Sequence, residues 1–137
     1  MHLVAGHDAA VAGWIAQRVG APIAPPYTAL GWIDGDGMLR VGFVFFRYEP
    51  GGNMDFTLAA SGRLTRGILT TVADYVFVQA GCCRMTSRPH RANTHHCTML
   101  KKAGFIPEGI LKDYYGEKDD AVHYRLLKRQ CRWLMTE

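Results

Sequence analysis

The 137-residue sequence has no apolar run approaching the ~20 residues needed to span a bilayer, no internal repeat and no low-complexity tract. A bilayer-spanning helix and a solenoid are therefore not expected. The first residues, Met-His-Leu-Val-Ala-Gly-His-Asp, lack a basic region followed by an apolar stretch, so they do not read as a signal peptide, and a cytoplasmic location is the default expectation. Cysteine is scarce. Cys82, Cys83, Cys97 and Cys131 are too few for a disulfide framework in a chain of this size, and free thiols are expected. Linkers are absent too. Ala21 to Pro26 is the only loop-like break and is too short to separate domains, so residues 1–137 should form a single domain.

The composition, 48% hydrophobic and 20% charged, is that of a globular protein. The net charge of +4 suits an anionic ligand or partner without identifying one: a nucleotide, a polyphosphate cofactor and nucleic acid are all compatible.

Periodicity supplies the elements. His2 to Ala5 reads as a short strand, and Asp8 can cap a helix running to about Val19 with Val11, Trp14, Ile15 and Val19 on one apolar face. Tyr27 to Ile33 and Met38 to Tyr48 read as strands joined by the turn Asp34-Gly35-Asp36-Gly37; Pro50-Gly51-Gly52 then leads into a strand from Asn53 to Ala60. Leu64 to Gln79 changes to helical spacing, and Gly81 ends it. Cys82 to Ser87 is a short strand. Ile106 to Tyr115 and Ala121 to Leu127 form a final hairpin around Gly116-Glu117-Lys118-Asp119. The order β-α-β-β-β-α-β-α-β-β predicts an α+β fold with a mixed, mostly antiparallel sheet flanked by helices.

The most specific stretch is Asn93 to Gly109, reading Asn-Thr-His-His-Cys-Thr-Met-Leu-Lys-Lys-Ala-Gly-Phe-Ile-Pro-Glu-Gly. Asn93 can cap a helix, Gly104 suits a left-handed C-terminal residue, and Pro107 forbids continuation. Asn93, then Gly-Phe beginning eleven residues on, then Glu-Gly, resembles the last helix of the Gcn5-related N-acetyltransferase (GNAT) superfamily. Thr28 to Gly31, Arg63 to Gly67 and Cys131 to Leu134 add to the likeness, which covers roughly Tyr27 to Leu134 and points to a compact bacterial or bacteriophage branch. One helix of the superfamily order is missing near the N-terminus. The resemblance implies an acyl-CoA-dependent N-acetyltransferase, using acetyl-CoA as co-substrate, in which a primary amine of a small molecule or protein attacks the thioester directly in a ternary complex. The missing helix is usually part of the acceptor wall, which implies an open site or one completed by a second subunit of a homodimer.

The resemblance also implies site residues. A phosphate-binding loop would run through Ala59, Ala60, Ser61, Gly62, Arg63, Leu64, Thr65, Arg66 and Gly67, with backbone N–H groups and the helix N-terminus meeting the pyrophosphate. The usual Gln/Arg-x-x-Gly-x-Gly/Ala pattern is not matched in either register, since one puts Leu64 at the Gln/Arg position and the other puts Thr65 where glycine belongs. Backbone donors do not depend on side-chain type. Asn93 would contact the pantetheine arm or organise the strand beside it, and a backbone N–H near Ala59 to Ser61 would meet the oxyanion. The tyrosine acid found in many members corresponds here to Leu100, and a serine of other branches to His96. His96, Asp55 and Tyr114 are accordingly the catalytic candidates, with Glu49, Glu108, Cys97 and Tyr115 behind them.

Two other chemistries compete. His90, His95, His96, Cys97, Cys82 and Cys83 invite a metal, but neighbours on a helix diverge by about 100°, so no metal site is expected. Arg84, Arg88 and Arg91, with Arg125, Lys128, Arg129 and Arg132, could neutralise nucleic-acid phosphates, yet no nucleic-acid-binding signature accompanies them. A non-catalytic acyl-CoA-binding or basic nucleic-acid-binding domain is the alternative reading.

Overall fold

Residues 1–134 are described by a computed structural model. The element order is that expected: β1 (His2–Ala5), α1 (Asp8–Val19), β2 (Thr28–Ile33), β3 (Leu39–Phe46), β4 (Asn53–Ala60), α2 (Arg66–Ala73), β5 (Arg84–Ser87), α3 (Thr94–Lys102), β6 (Ile106–Gly116) and β7 (Asp119–Leu127). The chain forms two compact units, residues 1–48 with 55–63, and residues 49–54 with 64 onward. No helix among the described residues is long and apolar enough to cross a membrane.

The first unit is a meander, β1-β2-β3-β4, antiparallel throughout. Alternation along the strands places Ala29, Val44 and Ala59 on one face, where Val11, Ala12 and Ile15 of α1 join them in a closed core. Two facing glycines, Gly31 and Gly42, make that packing possible. A Cβ at Gly42 would lie 3.0 Å from Ile15 Cγ1 and 3.2 Å from Val11 Cγ1; one at Gly31 would lie 2.8 Å from Leu39 Cδ2 and 3.0 Å from Val11 Cγ2. Gly42→Val is therefore expected to destabilise by about 1–3 kcal/mol through overpacking, read as a lower urea midpoint with unchanged slope. The opposite face is aromatic. Phe43 meets Trp32 edge-on at 6.0 Å between centroids and tilts against Phe56 at 5.5 Å.

Asp8 does not cap α1. The residue before the helix is His7, which makes no side-chain cap, while Asp8 Oδ1 accepts from the Ala29 backbone N–H at 3.1 Å. The carboxylate thus ties the helix start to β2, a tertiary use that local sequence does not reveal.

In the second unit β5, β7 and β6 pair antiparallel in that order. The expected helix from Leu64 to Gln79 is α2 followed by a wider π-type turn, Asp74–Gln79. Residues Cys82 and Cys83 lie before β5 rather than in it. Val72, Val76, Phe77, Met85, Leu100, Tyr124 and Leu126 are all buried. The last carbonyls of α3 have no partners within the helix and are met from the C-terminal segment: Trp133 Nε1 donates to Ala103 O at 2.7 Å, and Arg132 Nη2 donates to Lys102 O. The closing hairpin carries an irregularity between Leu111 and Gly116, where Asp113 takes a positive φ. Asp120 holds it, accepting from the Asp113 N–H at 3.0 Å and pairing with Lys112 and Arg91.

Candidate functional site

The segment read as a phosphate loop begins at the end of β4. In the first unit the Ser61 N–H donates to Arg40 O at 2.7 Å, and Ala60 stands opposite Val41. Backbone groups of successive residues alternate in direction along an antiparallel ladder, so the Ala60 N–H points away from β3 while that of Ser61 is committed to it. Gly62 turns the chain at φ +121°, a conformation that L side chains rarely adopt.

In the second unit Thr65 caps α2, its Oγ1 accepting from the Ile68 N–H at 3.3 Å. The N–H groups of Arg66 and Gly67 lie in the first turn and have no intrahelical acceptor, so together with the helix dipole they present donors to an anion. The position a Gly67 Cβ would take has only Thr65 Oγ1 near it, at 3.9 Å, which leaves that approach open. Arg63 and Arg66 are exposed. The mismatched sequence pattern has therefore not removed the backbone donors.

Asn93 is the cap of α3. Its Oδ1 accepts from the His96 N–H at 3.1 Å. His96 faces inward. Burial, and then the neighbouring His95 and His90, push its pKa down to about 4, and its Nε2 is shut off from solvent without a hydrogen-bond partner among the described residues. Such an imidazole is neutral at pH 7 but weakly basic. Moving a proton to it from an ammonium near pKa 10.4 runs uphill by about six units, which makes His96 a poor general base.

The remaining candidates sort by access. Asp55 is 2% exposed and pairs with Arg47 at 3.3 Å in the first unit. Cys97 is buried, with its Sγ toward His90 O at 3.8 Å. Tyr124, which sequence reasoning did not single out, is also buried, and burial with the adjacent Cys97 pushes its pKa up to about 12. Neither group is open to substrate. Glu108 is bound by Arg84, whose guanidinium holds its carboxyl below the usual range, so it too is a weak base. Tyr114 is 44% exposed on β6 and meets Tyr115 edge-on at 4.9 Å.

One arrangement stands out from these. His90 Nδ1 donates to Asp119 Oδ1 at 3.0 Å, and the imidazole stacks on the Tyr115 ring at 3.7 Å between centroids. The Tyr115 hydroxyl donates in turn to Arg88 O. The carboxylate fixes which ring nitrogen carries the proton and leaves Nε2 as the acceptor, while stacking fixes the plane. Both side chains keep solvent access, at 39% and 43%. His90 stood in the sequence only as part of a histidine-rich stretch; its partner lies 29 residues away, beyond the reach of any local motif. Among the described residues no group of three His, Cys, Asp or Glu is placed to hold a metal ion.

No protein-family model matches the sequence, and no curated protein does so at a significant level. Solved structures match its fold. A mutant form of the spermidine/spermine N-acetyltransferase SpeG from Vibrio cholerae superposes with a TM-score of 0.73 at 12% identity, over 93% of this chain and 95% of that one. The ribosomal-protein-S5-alanine acetyltransferase from Vibrio fischeri gives a TM-score of 0.65 at 14% identity, over 77% of this chain but 64% of that one. The chain has the fold of these N-acetyltransferases, the one implied by the sequence resemblance.

Proposed function

We propose that the protein is an acetyl-CoA-dependent N-acetyltransferase acting on a primary amine. The observation that carries this reading is the start of α2, where the Thr65 cap leaves the Arg66 and Gly67 N–H groups without an intrahelical acceptor, in a chain that shares its fold with solved N-acetyltransferases. Those donors suit the cofactor pyrophosphate. Asn93 suits the pantetheine arm and the Ala60 N–H the oxyanion. The acceptor amine attacks the thioester carbonyl, the C–S bond breaks, and CoA leaves as a thiolate, which takes a proton from solvent or from the attacking nitrogen as that becomes the amide. With a thiol pKa of about 8.5 that thiolate is a tolerable leaving group.

The amine must lose a proton before or during attack. His90, oriented by Asp119, takes the role that sequence reasoning gave to His96. Its ring is 39% exposed and its Nε2 is left to accept, whereas the Nε2 of His96 is shut off from solvent and weakly basic.

Thermal-shift titration with acetyl-CoA tests cofactor binding. Stabilisation that grows with concentration is expected for the wild type, following the binding linkage, and its loss in Gly67→Glu, which puts a carboxylate among the phosphate donors. No stabilisation by any acyl-CoA sinks the reading. Binding without CoA release across an amine panel reduces it to a non-catalytic acyl-CoA-binding domain.

A further inference from the structure

One polar cluster in the second unit is left unused by the chemistry above. Arg84 of β5, His123 and Arg125 of β7 and Glu108 of β6 converge where the three strands pair. Arg84 Nη1 and Nη2 clasp Glu108 at 3.0 and 2.5 Å, Arg125 Nε donates to Glu108 Oε2 at 3.0 Å, and His123 Nε2 lies 3.4 Å from Oε1. Each carboxylate oxygen thus already has two partners. Two guanidiniums share one carboxylate, which leaves an excess of one positive charge before His123 is counted. Arg125 Nη1 is buried and has no hydrogen-bond partner among the described residues. Leaving a buried charged donor without an acceptor is costly, so the described side chains do not satisfy the cluster by themselves. Its side chains are 16–31% exposed, partly dried yet still reachable.

We propose that this cluster is an anion subsite for the acceptor, and that the substrate is an amine bearing an oxyanion group, a carboxylate or a phosphate. The inference rests on the acetyl-transfer reading above and narrows it. A turn of the Arg125 guanidinium toward the ligand gives Nη1 an acceptor, and the planar fork matches either oxyanion. The same surplus charge works against a polycation. A polyamine brought to this face meets two arginines whose one counter-charge is already engaged, so like-charge repulsion selects against it.

The test uses the full chain and acceptors differing in one group. CoA release is measured with β-alanine against its amide, with 2-aminoethyl phosphate against ethanolamine, and with spermidine. At least one anionic acceptor is expected to exceed its neutral counterpart by tenfold or more in kcat/KM, with spermidine poorest; the better pair tells carboxylate from phosphate. Arg125→Gln is expected to raise KM for the anionic acceptor ten- to a hundredfold, leaving kcat and the neutral acceptor's KM nearly unchanged. Arg125→Lys, which keeps the charge but not the fork, should fall between. Equal use of charged and neutral members, or spermidine as the best acceptor, overturns the proposal. Acetyl-CoA thermal shift runs alongside and reports on the cofactor site independently. Should acetyl-CoA bind while no amine turns over, acetate and inorganic phosphate are titrated directly: stabilisation of wild type by either, lost in Arg125→Gln, supports the subsite, and identical responses of the two proteins overturn it.

Discussion

Between pH 6.5 and pH 4 the protein is expected to lose about 3 kcal/mol of folding stability through a single side chain, His96. Its pKa is about 4 in the fold against 6.5 when free. Each unit is worth about 1.36 kcal/mol. In this window the unfolded chain binds the proton and the native state does not, so stability rises with pH and falls on acidification, with the full loss reached below the folded value. The physical cause is burial of the ring beside His95 and His90, with Nε2 lacking a hydrogen-bond partner among the described residues. Glu108, Asp34 and Asp120, whose carboxyls are held below their usual range, add their own losses only as pH falls through those lowered values. His96→Phe removes the titrating group and the orphaned nitrogen together. Urea unfolding should show it as stable as the wild type at pH 7 and much flatter between pH 6.5 and 4. If wild type and variant fall in parallel, the acid sensitivity lies elsewhere. The same variant should keep acetyl transfer, because His96 is not the base in this account.

His90→Gln should instead lower kcat by about 10²- to 10⁴-fold, the usual contribution of a positioned general base. Glutamine preserves a hydrogen bond toward Asp119 but carries no basic nitrogen. Acetyl-CoA stabilisation should be unchanged in that variant, since the donors proposed for the cofactor lie at the start of α2. Asp119→Asn should cost less, because it leaves the imidazole in place and removes only its orientation. A His90→Gln enzyme with wild-type kcat contradicts the assignment.

The sequence was most legible where a physical rule acts over a few residues. Turn glycines, the Asn93 cap, the Gly104 stop and the alternating strands each carry their own local signal, and together they imposed the element order. Asp8 shows the limit: a residue type suited to capping was used to hold β2. The π-type turn after Ala73 was also hidden, because one extra residue per turn barely alters an apolar pattern already dense from Tyr75 to Val78. Side-chain partnerships were the least legible. Arg84 and Glu108 lie 24 residues apart, and their meeting depends on the register shift between Pro107 and Gly109, which no composition rule predicts. His90 and Asp119 meet across the far end of the same hairpin. The sequence could name His96 as a candidate, but only the fold shows it enclosed.

Acetyl transfer itself is the most direct test of the central claim. The purified wild-type protein is incubated with acetyl-CoA and the amine panel, and free CoA thiol and acetylated amine are measured together. The account predicts that both appear in equal amounts for at least one amine, that Gly67→Glu abolishes both, and that neither forms without an amine. Cofactor binding with no acetylated product from any member of the panel would contradict it.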